Sequence, residues 1–232
     1  MEKENNKLKG AFVERDLSWM YFNHRILQEA EKKDIPVLER MTFLGIYSNN
    51  LDEFFRVRIA SLNRIAQSKD KTLKNDRERA KRTIKDINHL NSCYNKEFEK
   101  AVQEITEELE QKGIRLLHEN QLNDEQKDFI QRFYLEKLNG STNPIWLSQI
   151  KEIGATADDG IFLAIKRMEW IEGKKKPKTD YALIAMPDKE IGRFVRLPKS
   201  DEKENIMFLD DVIRYCLPMI FVGSGNCTYE AY

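Results

Sequence analysis

Apolar residues recur at steps of three and four through the first 112 residues, the period of helices packed on one side. In LSWMYFNHRILQEAEKK the positions Trp19, Phe22, Ile26 and Ala30 share a face, and Asp16 stands where an N-cap is expected. Asp34 and Pro36 mark a second start, because proline suits the first turn of a helix. That helix, PVLERMTFLGIYS, runs into an SNN triplet. LDEFFRVRIASLNRIAQ then resumes the period with Leu51, Phe55, Ile59 and Leu62 aligned. A polar break, SKDKTLKN, precedes a long helix from about Asp76 to Lys112, with Ile84, Ile87, Tyr94, Phe98, Ala101, Ile105 and Leu109 in phase. Gly113 is its stop. Such faces need one another, which predicts a helical bundle.

Beyond Gly113 the period changes. NDEQKDFIQRFYLEKLNG predicts one more helix, with Asn123 as cap and Gly140 as stop. IFLAIKRMEW, YALIAMP and RFVRLP are short runs rich in β-branched and aromatic residues, and GKKKPKTD reads as the turn of a hairpin between the first two. DDVIRYCLPMIF predicts a short helix capped near Asp210. The expected fold class is therefore α+β: an all-α bundle over 1–112, followed by an α+β domain over 113–232. The final GNCTYEAY carries no capping signal and reads as an element cut short, as in a truncated chain.

Composition narrows the function classes. The 232 residues are 41% hydrophobic and 34% charged, ordinary for a globular protein. Lys plus Arg and Asp plus Glu number 39 each, so net charge points to neither nucleic acid nor a membrane surface. The polar N-terminus lacks the apolar core of a signal peptide, and no run approaches the length of a membrane span. Cys93, Cys216 and Cys227 show no metal-ligand spacing and read as reduced thiols of a cytoplasmic protein.

SNNLDEFF, at 48–55, is the stretch that carries chemistry. Asn50 with Glu53 three residues on makes a capping box for a helix starting at Leu51, and Asp52 and Glu53 suit the positive end of its dipole. Asn49 could cap instead, leaving a carboxamide whose donor and acceptor match the N6/N7 edge of adenine. Arg56 and Arg58 follow on different sides of the helix, each free to meet a phosphate or to pair with Asp52 or Glu53. The stretch 69–85 holds eight basic and three acidic residues without interleaved aromatics, the pattern of a solvated face or of a polyanion surface. His24, His89 and His118 are isolated, and GSGN at 223–226 lacks the lysine and helix of a phosphate loop. No metal site and no catalytic residue is expected here.

RDLSWMYFNHRILQEA followed by PVLERMTFLGIYSNNLDEFFRVRIA resembles the opening of the long bacterial polyphosphate kinases, and YALIAMP, RFVRLP and LDDVIRYCLPMIF resemble the second, "head" domain of that family. The resemblance implies an enzyme that makes inorganic polyphosphate from ATP. It places Asn50 at the adenine, with Asn49, Arg56 and Arg58 as weaker candidates nearby, and assigns the head domain a part in dimerisation. The phosphorylated histidine and the Mg²⁺ site of that family lie in later domains, so this stretch alone should not transfer phosphate. ATP, ADP and polyphosphate are the implied partners, in a homodimer or homotetramer without a specific nucleic acid. Cytoplasmic residence is implied, with room for peripheral membrane association. The rival reading is a non-catalytic dimerisation or interaction module.

Overall fold

The computed structural model describes residues 13–150, 160–221 and 226–232; most of GSGN lies outside them. The fold is α+β, as expected, in two compact units, Met1–Leu109 and Glu110–Tyr232.

In the first unit, helix α1 (Arg15–Glu31) is capped by Glu14, not Asp16. The Glu14 carboxylate accepts from the backbone N–H groups of Asp16 at 2.7 Å and Leu17 at 3.3 Å. The buried stripe is Asp16, Met20, Asn23, Leu27 and Ala30; of the predicted face Ala30 is buried, while the other buried positions fall one residue beyond Trp19, Phe22 and Ile26, and Phe22 is 61% exposed. Counting apolar residues alone misplaced that face, because two of its positions are polar residues whose partners lie across the helix interface.

Helix α2 (Val37–Phe54) begins directly after Pro36, which is its N-cap. It then passes through SNN without interruption. Asn50 is mid-helix, so the predicted capping box at Asn50 and Glu53 does not form, nor does a cap at Asn49. A π-helical turn (Phe55–Ile59) leads on into α3 (Ala60–Gln67). The wide turn brings Phe54 and Ile59, five residues apart, both into the core, while Leu51, Phe55 and Leu62 are half-buried. Helix α4 (Lys74–Gln111) buries Ala80, Thr83, Ile87, Tyr94, Ala101, Ile105 and Leu109. Gly113 follows it at φ +87°, the left-handed stop that glycine takes without a Cβ penalty.

The second unit contains β1 (Ile114–Leu117), α5 (Asp124–Phe133) with a π turn (Tyr134–Leu138), β2 (Ile145–Trp146), β3 (Phe162–Glu169), β4 (Lys178–Ala185), the short α6 (Asp188–Ile191), β5 (Phe194–Ser200), β6 (Lys203–Phe208), α7 (Leu209–Ile220) and β7 (Cys227–Ala231). The Asn123 cap is present as a full box with Gln126, and the β3–β4 hairpin pairs Phe162 with Ala185 through Glu169 with Lys178. Helix α7 has no side-chain cap: Phe208 holds the N-cap position and Asp210 lies in the first turn.

Four strands, β1, β2, β6 and β7, were not legible in advance. β1 pairs parallel with β6, β6 pairs antiparallel with β5, and β7 extends the other sheet along β3. Within the C-terminal stretch, Cys227–Ala231 forms a strand. The β5–β6 turn uses Asp201 at φ 52° and Glu202 at φ 61°, a hairpin geometry normally announced by Asn-Gly or Asp-Gly. Sheet orders are β1-β6-β5 and β2-β4-β3-β7. Their buried residues, among them Leu163, Ile165, Ile184, Val195, Leu197 and Met207, join Ile130, Leu138, Val212, Ile213 and Cys216 from the helices in one core.

Burial pushes the Cys216 thiol up from 9.0 to about 12, so it stays neutral and covered. Exposed Cys93 should therefore react with Ellman's reagent at once at pH 8, and Cys216 only on denaturation. Burial likewise raises Tyr47 from 10.0 to about 12. An unfolded chain gives up these protons from about pH 9, the folded chain only near 12, so the contribution of these two groups is constant below pH 9 and stability should fall between 9 and 12. Urea midpoints across that range measure it.

Candidate functional site

Helices α1 and α2 lie antiparallel, and the contacts along their interface are polar at every second turn of α1. Asp16, Asn23 and Ala30 are seven residues apart, which returns them to one face. Arg58 grips Asp16 with both forks of its guanidinium, Nε to Oδ1 at 2.9 Å and Nη2 to Oδ2 at 3.1 Å. The Asn23 amide donates to the Tyr47 carbonyl at 3.1 Å and accepts from the Asn50 amide at 3.2 Å. Fully buried Arg40 donates from Nε to the Ala30 carbonyl at 2.7 Å and from Nη1 to Glu108 at 2.7 Å.

This arrangement fixes Asn50. Because the Asn23 amide nitrogen must face a carbonyl, its oxygen faces Asn50, and Asn50 must then present its nitrogen. One N–H of Asn50 is used in that bond. Among the described residues, its carbonyl oxygen accepts nothing, so a donor and an acceptor remain on a half-buried, oriented carboxamide.

One turn further along α2 stands Phe54, stacked flat on Trp19 with ring centroids 4.1 Å apart and planes 3° from parallel. Trp19, Phe22 and Phe54 line a hollow of about 440 Å³ that Arg15 and Arg58 flank. The Asp16 carboxylate, by its hydrogen bonds, holds the Arg58 guanidinium above its ordinary range, so it is charged at any working pH. Apolar ring faces suit a planar heterocycle, a free carboxamide suits its edge, and fixed guanidinium suits phosphate oxygens.

The structure thus unites only part of the predicted set. Asn50 and Arg58 lie along the α1–α2 interface, each held by an α1 residue. Asn49 is exposed, and Arg56 pairs with Asp52 at 3.1 Å one turn back along its own helix. Asn23, Asp16, Trp19 and Phe54 were missed as site residues. The one available signal was the presence of Asp16 and Asn23 at heptad spacing inside an otherwise apolar helix face.

Of the histidines, His24 stacks on Tyr94 at 3.9 Å and meets Glu97 at 2.6 Å, a structural role. His118 is not isolated after all: its Nδ1 lies 2.9 Å from Asp211. In the basic stretch, Arg77 bonds the Ser68 carbonyl, while Arg79 faces Glu14 at 3.7 Å and Lys81 faces Glu78 at 3.4 Å, as on a solvated face.

Comparison with known proteins places this geometry. Residues 12–117 match the model of the polyphosphate kinase N-terminal domain and residues 125–231 that of the polyphosphate kinase middle domain. The chain is 33% identical over 218 residues to a polyphosphate kinase of Vibrio parahaemolyticus and 34% identical over 215 residues to that of Escherichia coli K12. Each alignment covers 91% of this chain and 30% of the relative, so the chain spans about a third of their length. The crystal structure of polyphosphate kinase from Porphyromonas gingivalis superposes with a TM-score of 0.78 at 28% identity, covering 94% of this chain and 32% of that one. Two consecutive domain models and a matching fold agree over nearly every residue, and the chain belongs to the polyphosphate kinase family.

Proposed function

We propose that this chain forms the nucleotide-facing front of a polyphosphate kinase, which reversibly transfers the terminal phosphate of ATP to inorganic polyphosphate. The observation that carries the reading is the Asn23–Asn50 pair. A carboxamide in the middle of a helix has no capping work to do, yet Asn50 is held by a buried neighbour with its oxygen and one N–H unspent. In this reading the Asn50 amide accepts from the adenine N6 amino group and donates to a ring nitrogen. Asn23 is the positioning residue that sets its orientation. Arg58 supplies fixed positive charge nearby and Arg56 and Asn49 stay peripheral.

Mg²⁺ does not fit at this hollow. Its lining is a serine, aromatic rings and two guanidinium groups, and the one carboxylate, Asp16, is spent on Arg58. Phosphohistidine formation and metal-assisted phosphoryl transfer are assigned to domains beyond residue 232, and dimerisation in part to the middle domain. No helix of the described residues is long and apolar enough to cross a membrane. A cytoplasmic enzyme, dimeric or tetrameric, is the assembly this reading expects.

In the full-length kinase, Asn50→Ala should weaken ATP binding by about 1–3 kcal/mol, a roughly 5- to 150-fold rise in Kd, while polyphosphate binding holds. Isothermal titration of both ligands decides it, and an unchanged ATP affinity would count against the assignment. In the 232-residue chain, Asn23→Ala should cost about 1–3 kcal/mol by urea unfolding, since it strands a buried carbonyl lone pair and an amide. Asn50→Ala should cost less, having one half-buried hydrogen bond to lose.

A further inference from the structure

In the second unit, the end of β1 delivers His118 and Glu119 to the first turn of α7, where Asp211 stands. One ring nitrogen of His118 and one carboxylate oxygen each from Glu119 and Asp211 lie within 4.8 Å of one another. We propose that these three side chains form a binding site for a divalent transition-metal ion of the Zn²⁺ class.

The Asp211 side chain is 5% exposed and fixed. Arg214 holds its Oδ1 at 2.6 Å, which leaves Oδ2 turned to His118 Nδ1 at 2.9 Å. Tetrahedral ligands of Zn²⁺ at about 2.1 Å stand about 3.4 Å apart, so this nitrogen and oxygen need to part by only about 0.5 Å to take neighbouring positions on one ion. Glu119 must close only a short distance, and it sits with His118 in the connection after β1.

Charge favours a cation here. Glu119, Asp210 and Asp211 bring three carboxylates, and among the described residues Arg193 and Arg214 pair with the two aspartates while His118 faces Asp211. Among the described residues Glu119 forms no ion pair, and with its carboxylate within 4.8 Å of the Asp211 carboxylate it leaves negative charge that a bound cation would offset. The three side chains border a cavity of about 670 Å³, which gives water and solutes access. The imidazole selects borderline metals over Mg²⁺ and Ca²⁺, which prefer all-oxygen sites.

The test uses the 232-residue chain, stripped with chelator and titrated with ZnCl₂ and CoCl₂ in a non-coordinating buffer. One saturable site is expected per chain, unaffected by equimolar Mg²⁺. His118→Ala and Glu119→Gln, both at positions outside the core, should each weaken it at least about tenfold with the circular dichroism spectrum unchanged. The Co²⁺ adduct should show weak visible bands and no thiolate charge-transfer band. Absence of a saturable site, affinity that survives His118→Ala, or a thiolate band implicating Cys93 or Cys227 would each overturn the proposal.

Discussion

The first unit depends on a register fixed by polar contacts. Two antiparallel helices with broadly apolar faces can slide by a turn at little cost, because one leucine or methionine replaces another. Here Asp16, Asn23 and Ala30 meet Arg58, the Asn50–Tyr47 turn and Arg40, and a slip of one turn would break all three contacts and leave the buried Asp16, Asn23 and Arg40 without these partners. The penalty for an unpaired buried charge or amide is what makes that register specific. Apolar Met20 and Leu27 fill the intervals and supply the burial.

That constraint also explains the π turn. An uninterrupted α-helix through residues 54–59 would rotate Ile59 away from the face that Phe54 occupies. The wider turn keeps both in the core, and it lies beside Arg58, which reaches Asp16 across the interface. The candidate site is built on the same contacts: Asn50 is oriented by the Asn23 that locks the register, and the Trp19–Phe54 stack forms the next layer. On the proposed reading, stability and ligand geometry would share residues, with the charged and amide groups serving both.

The second unit is ordered by a different logic. Its sheets draw strands from distant parts of the chain, so β1 gains its hydrogen bonds only when β6, some ninety residues later, lies parallel to it. Asn205, buried within β6, bonds the carbonyl of Pro198 on the neighbouring strand, at the irregular end of β5 where the bulge begins. The same closure carries His118 and Glu119 to Asp211.

Periodicity alone determined the long helix α4, the Asn123 cap, the β3–β4 hairpin and the α+β class, because these rest on local spacing and turn chemistry. The motif residues alone determined the family. Tertiary structure decided the rest. It turned Asn50 from a cap into an oriented amide, because a helix end is set by what packs around it as well as by the capping residue. It moved the buried face of α1 by one position, since a polar residue is buried only when a partner waits across the interface. It gave β1, β6 and β7 their identity, because a short strand has no local hydrogen bonds by which to declare itself. It also gave His118 its neighbours, which are ninety-three positions apart in the case of Asp211, a distance no spacing rule spans.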